Sequence, residues 1–179
     1  MKRNALIAIG PDKTCIVAAL SKSLFEHDCS IGDSIMTVIE DSFAIILIIS
    51  TPSAKKRDSL IKDLKKIEKA FNFDIIVKEL GKRVEHLLQP NSLITLHGVD
   101  RPGVLFKISD LLSQSGISII ELETKTIPAK DGSTLFVMVI EAHAASTEDL
   151  KGFKNSLRAT CKELGVDVNC KPLKSCEPA

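Results

Sequence analysis

Residues 98–105 read GVDRPGVL, and 88 positions earlier residues 10–17 read GPDKTCIV. Each stretch sets a glycine, an aspartate and a basic residue between a short apolar run and a longer amphipathic one, so the chain states one unit twice. The correspondence extends outward on both sides. Upstream, Asn4-Ala-Leu-Ile-Ala-Ile returns as Asn91-Ser-Leu-Ile-Thr-Leu, with one extra residue before the second loop. Downstream, Ile16, Val17, Leu20, Leu24, Ser30 and Ile31 match Val104, Leu105, Ile108, Leu112, Ser118 and Ile119 at a constant offset. Within 179 residues this duplication predicts two small domains, 1–80 and 91–173, with a linker over 81–90 and a tail over 174–179.

Each copy carries the same series of periodicities. A short apolar strand, 5–9 or 93–97, leads into the loop. Val104, Leu105, Ile108, Leu111 and Leu112 then follow helical spacing up to Gly116, a residue suited to the left-handed helix end. The counterpart of Gly116 is Asp28, which enters that conformation more readily than most residues. Two strand-like runs come next, 31–39 and 43–49 in copy one, 117–127 and 135–140 in copy two, joined by hairpin residues. A second helical stripe covers Ser53 to about residue 70 (Leu60, Leu64, Ile67, Phe71) and Thr147 to Leu164 (Leu150, Phe153, Leu157, Cys161, Leu164), and a last strand closes each copy at 73–78 or 166–171. The order βαββαβ, twice, predicts an α+β chain of two ferredoxin-like modules. Right-handed crossovers place both helices on one face of each antiparallel sheet. The linker, with Gly81 at its start and Pro90 at its end, has room for a short helical turn.

The other face of each sheet is left bare. Residues 43–49 (FAIILII) and 135–140 (LFVMVI) are apolar on both strand faces, whereas 120–125 (IELETK) alternates. A homodimer or another sheet-to-sheet contact is therefore expected to cover the central strands.

Charge and composition exclude several classes. Lys and Arg number 24 against 23 Asp and Glu, so no net field draws the chain to nucleic acid or an anionic membrane. The absence of Trp and Tyr removes the stacking platforms an RNA-binding sheet of this topology needs. No apolar run nears the ~20 residues that span a bilayer, and a cytoplasmic protein is expected. The five cysteines lack CxxC spacing and the four histidines are scattered, so no metal, disulfide framework or cofactor is expected. Those cysteines read as small buried apolar residues, with Cys176 loose in the tail. No nucleophile elbow, phosphate loop or dinucleotide fingerprint is present, which points away from an enzyme. Glu121, Glu123 and Lys125, and the lysine-rich run from Lys55 to Lys69, read as solvated faces.

The loops carry the chemistry that remains. Each delivers the chain from a central strand to a helix start, where backbone N–H groups lack partners and carry partial positive charge. Those groups suit a carboxylate, while Asp12 or Asp100 suits an ammonium group, and together they suit a free amino acid. Gly10 and Gly98 fit a sharp turn, Pro102 fits a first helical turn, and Gly103 lets a ligand approach. The same residues also fit a structural reading: an aspartate before a helix is a favoured N-cap, and Lys13 and Arg101 are ordinary solvated charges.

The stretches GPDKTCIVAALSKSLFEHDCSI and GVDRPGVLFKISDLLSQSGISI resemble the opening of the ACT domain, a small amino-acid-sensing regulatory module. The resemblance covers residues 4 to about 173. Two modules with nothing else resemble tandem ACT proteins of the glycine cleavage system transcriptional repressor type. The first copy is also similar to the ACT segment of formyltetrahydrofolate deformylases. The resemblance implies a regulator that binds a small amino acid, glycine or serine foremost, and acts on a transcription factor or enzyme through protein contacts. Carried over by position, the ligand residues are Gly98, Val99, Asp100, Arg101, Pro102, Gly103 and Val104 in copy two. In copy one they are Gly10, Pro11, Asp12, Lys13, Thr14 and Cys15. Ser30 and Ser118 stand where the family often has asparagine before the second strand. Copy one departs from the proline-glycine pair with Thr14-Cys15, whose thiol crowds the ligand's approach. The alternative is a dimerising adaptor module without a ligand.

Overall fold

A computed structural model describes residues 2–81 and 88–173. Most of the expected linker, with its helical turn, lies outside these residues, as do His86, Cys176 and the tail. The chain divides into two compact units, Met1–Glu85 and His86–Ala179.

The first unit runs β1 (Lys2–Pro11), α1 (Ile16–Glu26), β2 (Ser30–Ile39), β3 (Ser42–Thr51), α2 (Ala54–Phe71) and β4 (Asp74–Glu79). The second runs β5 (Ser92–Val99), α3 (Val104–Gln114), β6 (Ser118–Pro128), β7 (Thr134–His143), α4 (Thr147–Leu164) and β8 (Val166–Pro172). Their sheets have the orders β2-β3-β1-β4 and β6-β7-β5-β8, all neighbours antiparallel, so β1 and β3, or β5 and β7, are central. This is the predicted ferredoxin-like topology in both copies.

The two cores are built by the same positions. Ile16, Leu20 and Leu24 of α1 are buried with Leu6, Phe43, Ile45, Leu47, Leu60 and Leu64. Val104, Ile108 and Leu112 of α3 are buried with Ile94, Leu96, Phe136, Met138, Ile140, Phe153 and Leu157. Both first helices end through the residues anticipated: Asp28 has φ 55° and Gly116 has φ 65°. The N–H groups of Cys29 and Ile117 reach back to the carbonyls of Leu24 and Leu112, each at 3.0 Å. These bonds satisfy carbonyls that the helix leaves unpaired. Ser53 starts α2 by accepting the Lys56 N–H on its hydroxyl at 3.2 Å. β1 and β3 run past their apolar stretches, to Lys2 and Thr51, because polar partners hold their ends: the Asn4 side-chain amide donates to Thr51 Oγ1 at 3.2 Å.

The cysteines do not behave alike. Cys161 is buried in the second core, which pushes its thiol up to about 11, while Cys29 and Cys170 are half-buried. Cys15 is exposed, contrary to the expectation of a buried thiol, because its backbone conformation turns it away from the core.

Candidate functional site

In the second unit β5 ends at Val99, and the Asp100 N–H donates to the Thr134 carbonyl at 2.7 Å, pinning the loop to the start of β7. The chain turns at Pro102 and Gly103, and α3 begins at Val104, whose side chain enters the core. Gly103 is the N-cap, at φ 91°, ψ −3°. That left-handed geometry forces two revisions. Pro102 lies before the helix rather than in its first turn, since the glycine must complete the turn first. Asp100 lies three residues ahead of the N-cap, and no side chain caps the helix. The N-cap reading of the aspartate therefore fails in copy two. It fails in copy one for the same reason, because Cys15 is the N-cap there and has no side-chain bond either.

Chemical groups are left over at this helix start. Asp100 is exposed, and its carboxylate has no hydrogen-bond or ion-pair partner among the described residues. The Lys107 N–H reaches the Gly103 carbonyl at 3.0 Å, but the amides of Leu105 and Phe106 meet no acceptor within the described protein. A depression of about 310 Å³ opens here, with residues from Asp100 to Leu105 on one side and Thr124, Phe136 and Met138 on the other. A carboxylate acceptor and the free Leu105 N–H border an apolar floor, a pairing that suits the two charges of a zwitterion.

The first loop has the same path but a different lining. The Asp12 N–H donates to the Asp41 carbonyl at 2.7 Å, as its counterpart does to Thr134. The Lys13 ammonium is not simply solvated: it donates to the Phe71 carbonyl at 2.9 Å, at the negative end of α2. Arg101 takes the corresponding direction, with a guanidinium nitrogen 3.9 Å from where a Cβ on Gly165 would stand. Thr14 and Cys15 are exposed.

Gly10 and Gly98 do not make the turns. Both sit inside paired strands, opposite Phe43 and Phe136. Their lack of a side chain serves packing instead. A Cβ on Gly10 would come 2.4 Å from the Phe73 ring, and one on Gly98 would come 3.3 Å from Val166 Cα. Phe73, stacked on Phe43 with ring centroids 5.5 Å apart, thus fills the space beside the first loop. The second unit has the smaller Val166 at that place. Pro11 and Val99 are the last residues of their strands.

Ser30 and Ser118 are not brought to the loop of their own unit. Ser30 pairs with Ser50, whereas the loop end of β1 pairs with Ser42, eight residues away along β3. At about 3.3 Å per residue the two ends are roughly 26 Å apart. Ser118, paired with His143, is placed likewise. In the other direction, Thr124, Phe136 and Met138 line the depression without having been anticipated. Thr124 lies in the alternating run 120–125 and the other two in the run 135–140, apolar on both faces. Only the register Thr124↔Met138 puts them on the helix side beneath the loop.

Cys15 occupies with a side chain the conformation that Gly103 adopts freely, at φ 70°, ψ 3°. A non-glycine residue there carries a cost of ~1 kcal/mol or more. Replacing Cys15 with Gly is expected to stabilise the first unit by about 0.5–1 kcal/mol in urea unfolding, the gain reduced by the freer unfolded chain.

Among the described residues no cluster of three or more His, Cys, Asp or Glu is placed to hold a metal, and no helix is long and apolar enough to cross a membrane. The profile of the ACT domain matches residues 6–78 and again residues 92–151. The glycine cleavage system transcriptional repressor of Escherichia coli is 22% identical over 163 residues, covering 90% of this chain and 85% of the relative. Among solved structures, an unknown protein from Galdieria sulphuraria superposes with a TM-score of 0.79 at 24% identity, over 97% of this chain and 99% of that one. A proposed glycine cleavage system transcriptional repressor gives a TM-score of 0.70 at 19% identity, over 97% and 98%. At these identities the superpositions establish the fold.

Proposed function

We propose, from the premise that the chain belongs to the ACT-domain family with two modules in tandem, that it is a regulatory protein without catalysis of its own. Its second module binds a small amino acid. The observation that carries this reading is the Asp100 carboxylate, unpartnered among the described residues, sharing a depression of about 310 Å³ with the start of α3, where the Leu105 amide has no acceptor among them either. The carboxylate receives the ligand's ammonium group and the amides receive its carboxylate, charge-assisted contacts that no neutral group of the same size makes as well. Glycine and serine are the favoured ligands. The relative's name ties it to glycine cleavage. The regulated partner is a transcription factor or a metabolic enzyme, reached through protein contacts. Ser30 and Ser118 stay in the proposal only as groups that a separate copy of the chain would bring to a loop.

Binding to the folded second module alone stabilises it by RT ln(1 + [L]/Kd), about 2.7 kcal/mol at a hundredfold excess over Kd. Thermal unfolding in the presence of each of the twenty amino acids tests the reading. A concentration-dependent rise with glycine or serine, confined to the second module, supports it. A second reading, an adaptor that works without a ligand, is favoured by the state of the first loop, where Cys15 carries a side chain at the N-cap that Gly103 leaves open and Lys13 is bonded to the Phe71 carbonyl. Silence from all twenty amino acids selects that reading.

A further inference from the structure

The helix-free face of the first sheet carries a cluster of isoleucines at its centre. Ile35, Ile46, Ile7 and Ile76 lie opposite one another across β2, β3, β1 and β4, forming one unbroken row over the full width of the sheet. Ile9, Ile39 and Ile48 extend it on the same face by strand alternation. Five of these seven side chains, Ile9, Ile35, Ile39, Ile46 and Ile76, are between 41% and 68% exposed. Isolated exposed apolar residues need no explanation, but a contiguous face of this kind marks a contact surface.

The corresponding face of the second sheet differs. There Glu121, Glu123 and Lys125 of β6 stand beside Glu141 and Val139, and Lys125 is paired with Glu123 at 3.0 Å. That face carries its β6 charges along the edge of the sheet, beside Val137 and Val139 of the central strand β7. Set against isoleucines it would strand its charges without hydrogen bonds, at a cost of several kcal/mol each. A surface that matches the isoleucine face has to be apolar at its centre, and a second copy of the face itself meets that need.

The rim of the face fixes how two copies meet. On β4, Asp74 and Lys78 point to the same side as Ile76 and flank it symmetrically, opposite Ile9 and Ala5. A two-fold axis along the isoleucine row lays β4 over β4 in reverse direction. Ile76 then meets its own copy, and each Asp74 faces the Lys78 of the other chain. The contact is self-complementary, as a two-fold interface requires.

We infer that the open face of the first sheet is a homodimer surface, on which a second copy of this chain packs the same face about a two-fold axis along the row Ile35–Ile46–Ile7–Ile76. Four strands about 4.8 Å apart and seven residues at about 3.3 Å each give a patch of roughly 19 by 23 Å. In projection this is roughly 450 Å² per partner, about 900 Å² in all, below the ~1,200 Å² of a standard specific interface and in the range of weak, transient ones. Such a dimer assembles in the micromolar range and dissociates on dilution. The inference is independent of amino-acid binding, since it uses neither loop.

Sedimentation equilibrium of the full chain over a dilution series tests it. The expected result is a mass moving from one chain to two as concentration rises, with Ile76→Glu weakening association by about tenfold or more. Asp74→Lys is expected to weaken it as well, and Asp74→Lys combined with Lys78→Asp to recover it, because the cross-chain pairs are restored in reversed polarity. Thermal melts of each variant separate lost association from lost folding, and the Asp74 variants carry the test should Ile76→Glu unfold. A single-chain mass at every concentration, or a dimer indifferent to both Ile76→Glu and Asp74→Lys, overturns the inference. A dimer sensitive to Ile76→Glu whose charge reversal brings no recovery overturns the placement of the axis.

Discussion

Replacing Ile108 with Ala is expected to split the thermal unfolding of the chain into two steps. Ile108 has no solvent exposure and lies on α3 in the core shared by Leu96, Leu112, Met138 and Leu157. Removing three carbons there forfeits their burial and leaves a cavity, at a cost of about 3–4 kcal/mol. A module of this size has only about 5–10 kcal/mol to lose. Its transition should therefore fall by roughly 15 °C or more. The first unit's core, built around Leu6, Leu20, Phe43 and Leu64, contains none of the same residues, so its transition should stay in place. Leu20→Ala, at the equivalent position of α1, should lower the other step. Calorimetry checks both variants. A single transition that moves as one in each of them would contradict the account of two separately packed cores.

Asp100→Ala is expected to weaken the binding of glycine or serine by about 10- to 100-fold, the loss of a charge-assisted contact worth about 1.5–3 kcal/mol. The same change should leave unfolding free energy within about 0.5 kcal/mol of the parent, because Gly103 and not Asp100 is the helix N-cap and the Asp100 carboxylate is exposed. Titration calorimetry and urea unfolding of one variant give both numbers. Asp12→Ala should change neither, since Cys15 puts a side chain where the second loop has Gly103. A stability loss of about 1 kcal/mol with unchanged affinity would assign the aspartate a purely structural role.

The architecture could be read from the chain because each step rests on local rules. The duplicated loop, the 3.6-residue stripes of Leu20 and Ile108, and the left-handed helix ends at Asp28 and Gly116 all depend on residues close in sequence. Ser53 as the cap of α2 belongs to the same class. What could not be read rests on pairing across the chain. Gly10 and Gly98 look like turn residues until Phe73 and Val166, more than sixty positions later, are seen to lie against them. Thr124 joins the depression only through its register with Met138. Cys15 was legible as the substituent of Gly103, but its exposure was not, because that follows from a positive φ rather than from its hydrophobicity. The isoleucine face lies between these cases. The run 43–49 shows that β3 is apolar on its outer face too, while the continuity of the row through Ile7 and Ile76 needs the strand order.

The central claim is that the start of α3 receives a ligand carboxylate, and the backbone amide resonances of Leu105 and Phe106 report on it directly. Titration of the labelled full chain with glycine or serine is predicted to shift both resonances in a saturable way, with Val17 and Ala18 at the equivalent start of α1 unmoved. Saturable shifts that leave Leu105 and Phe106 in place, or no shifts with either amino acid, would contradict it.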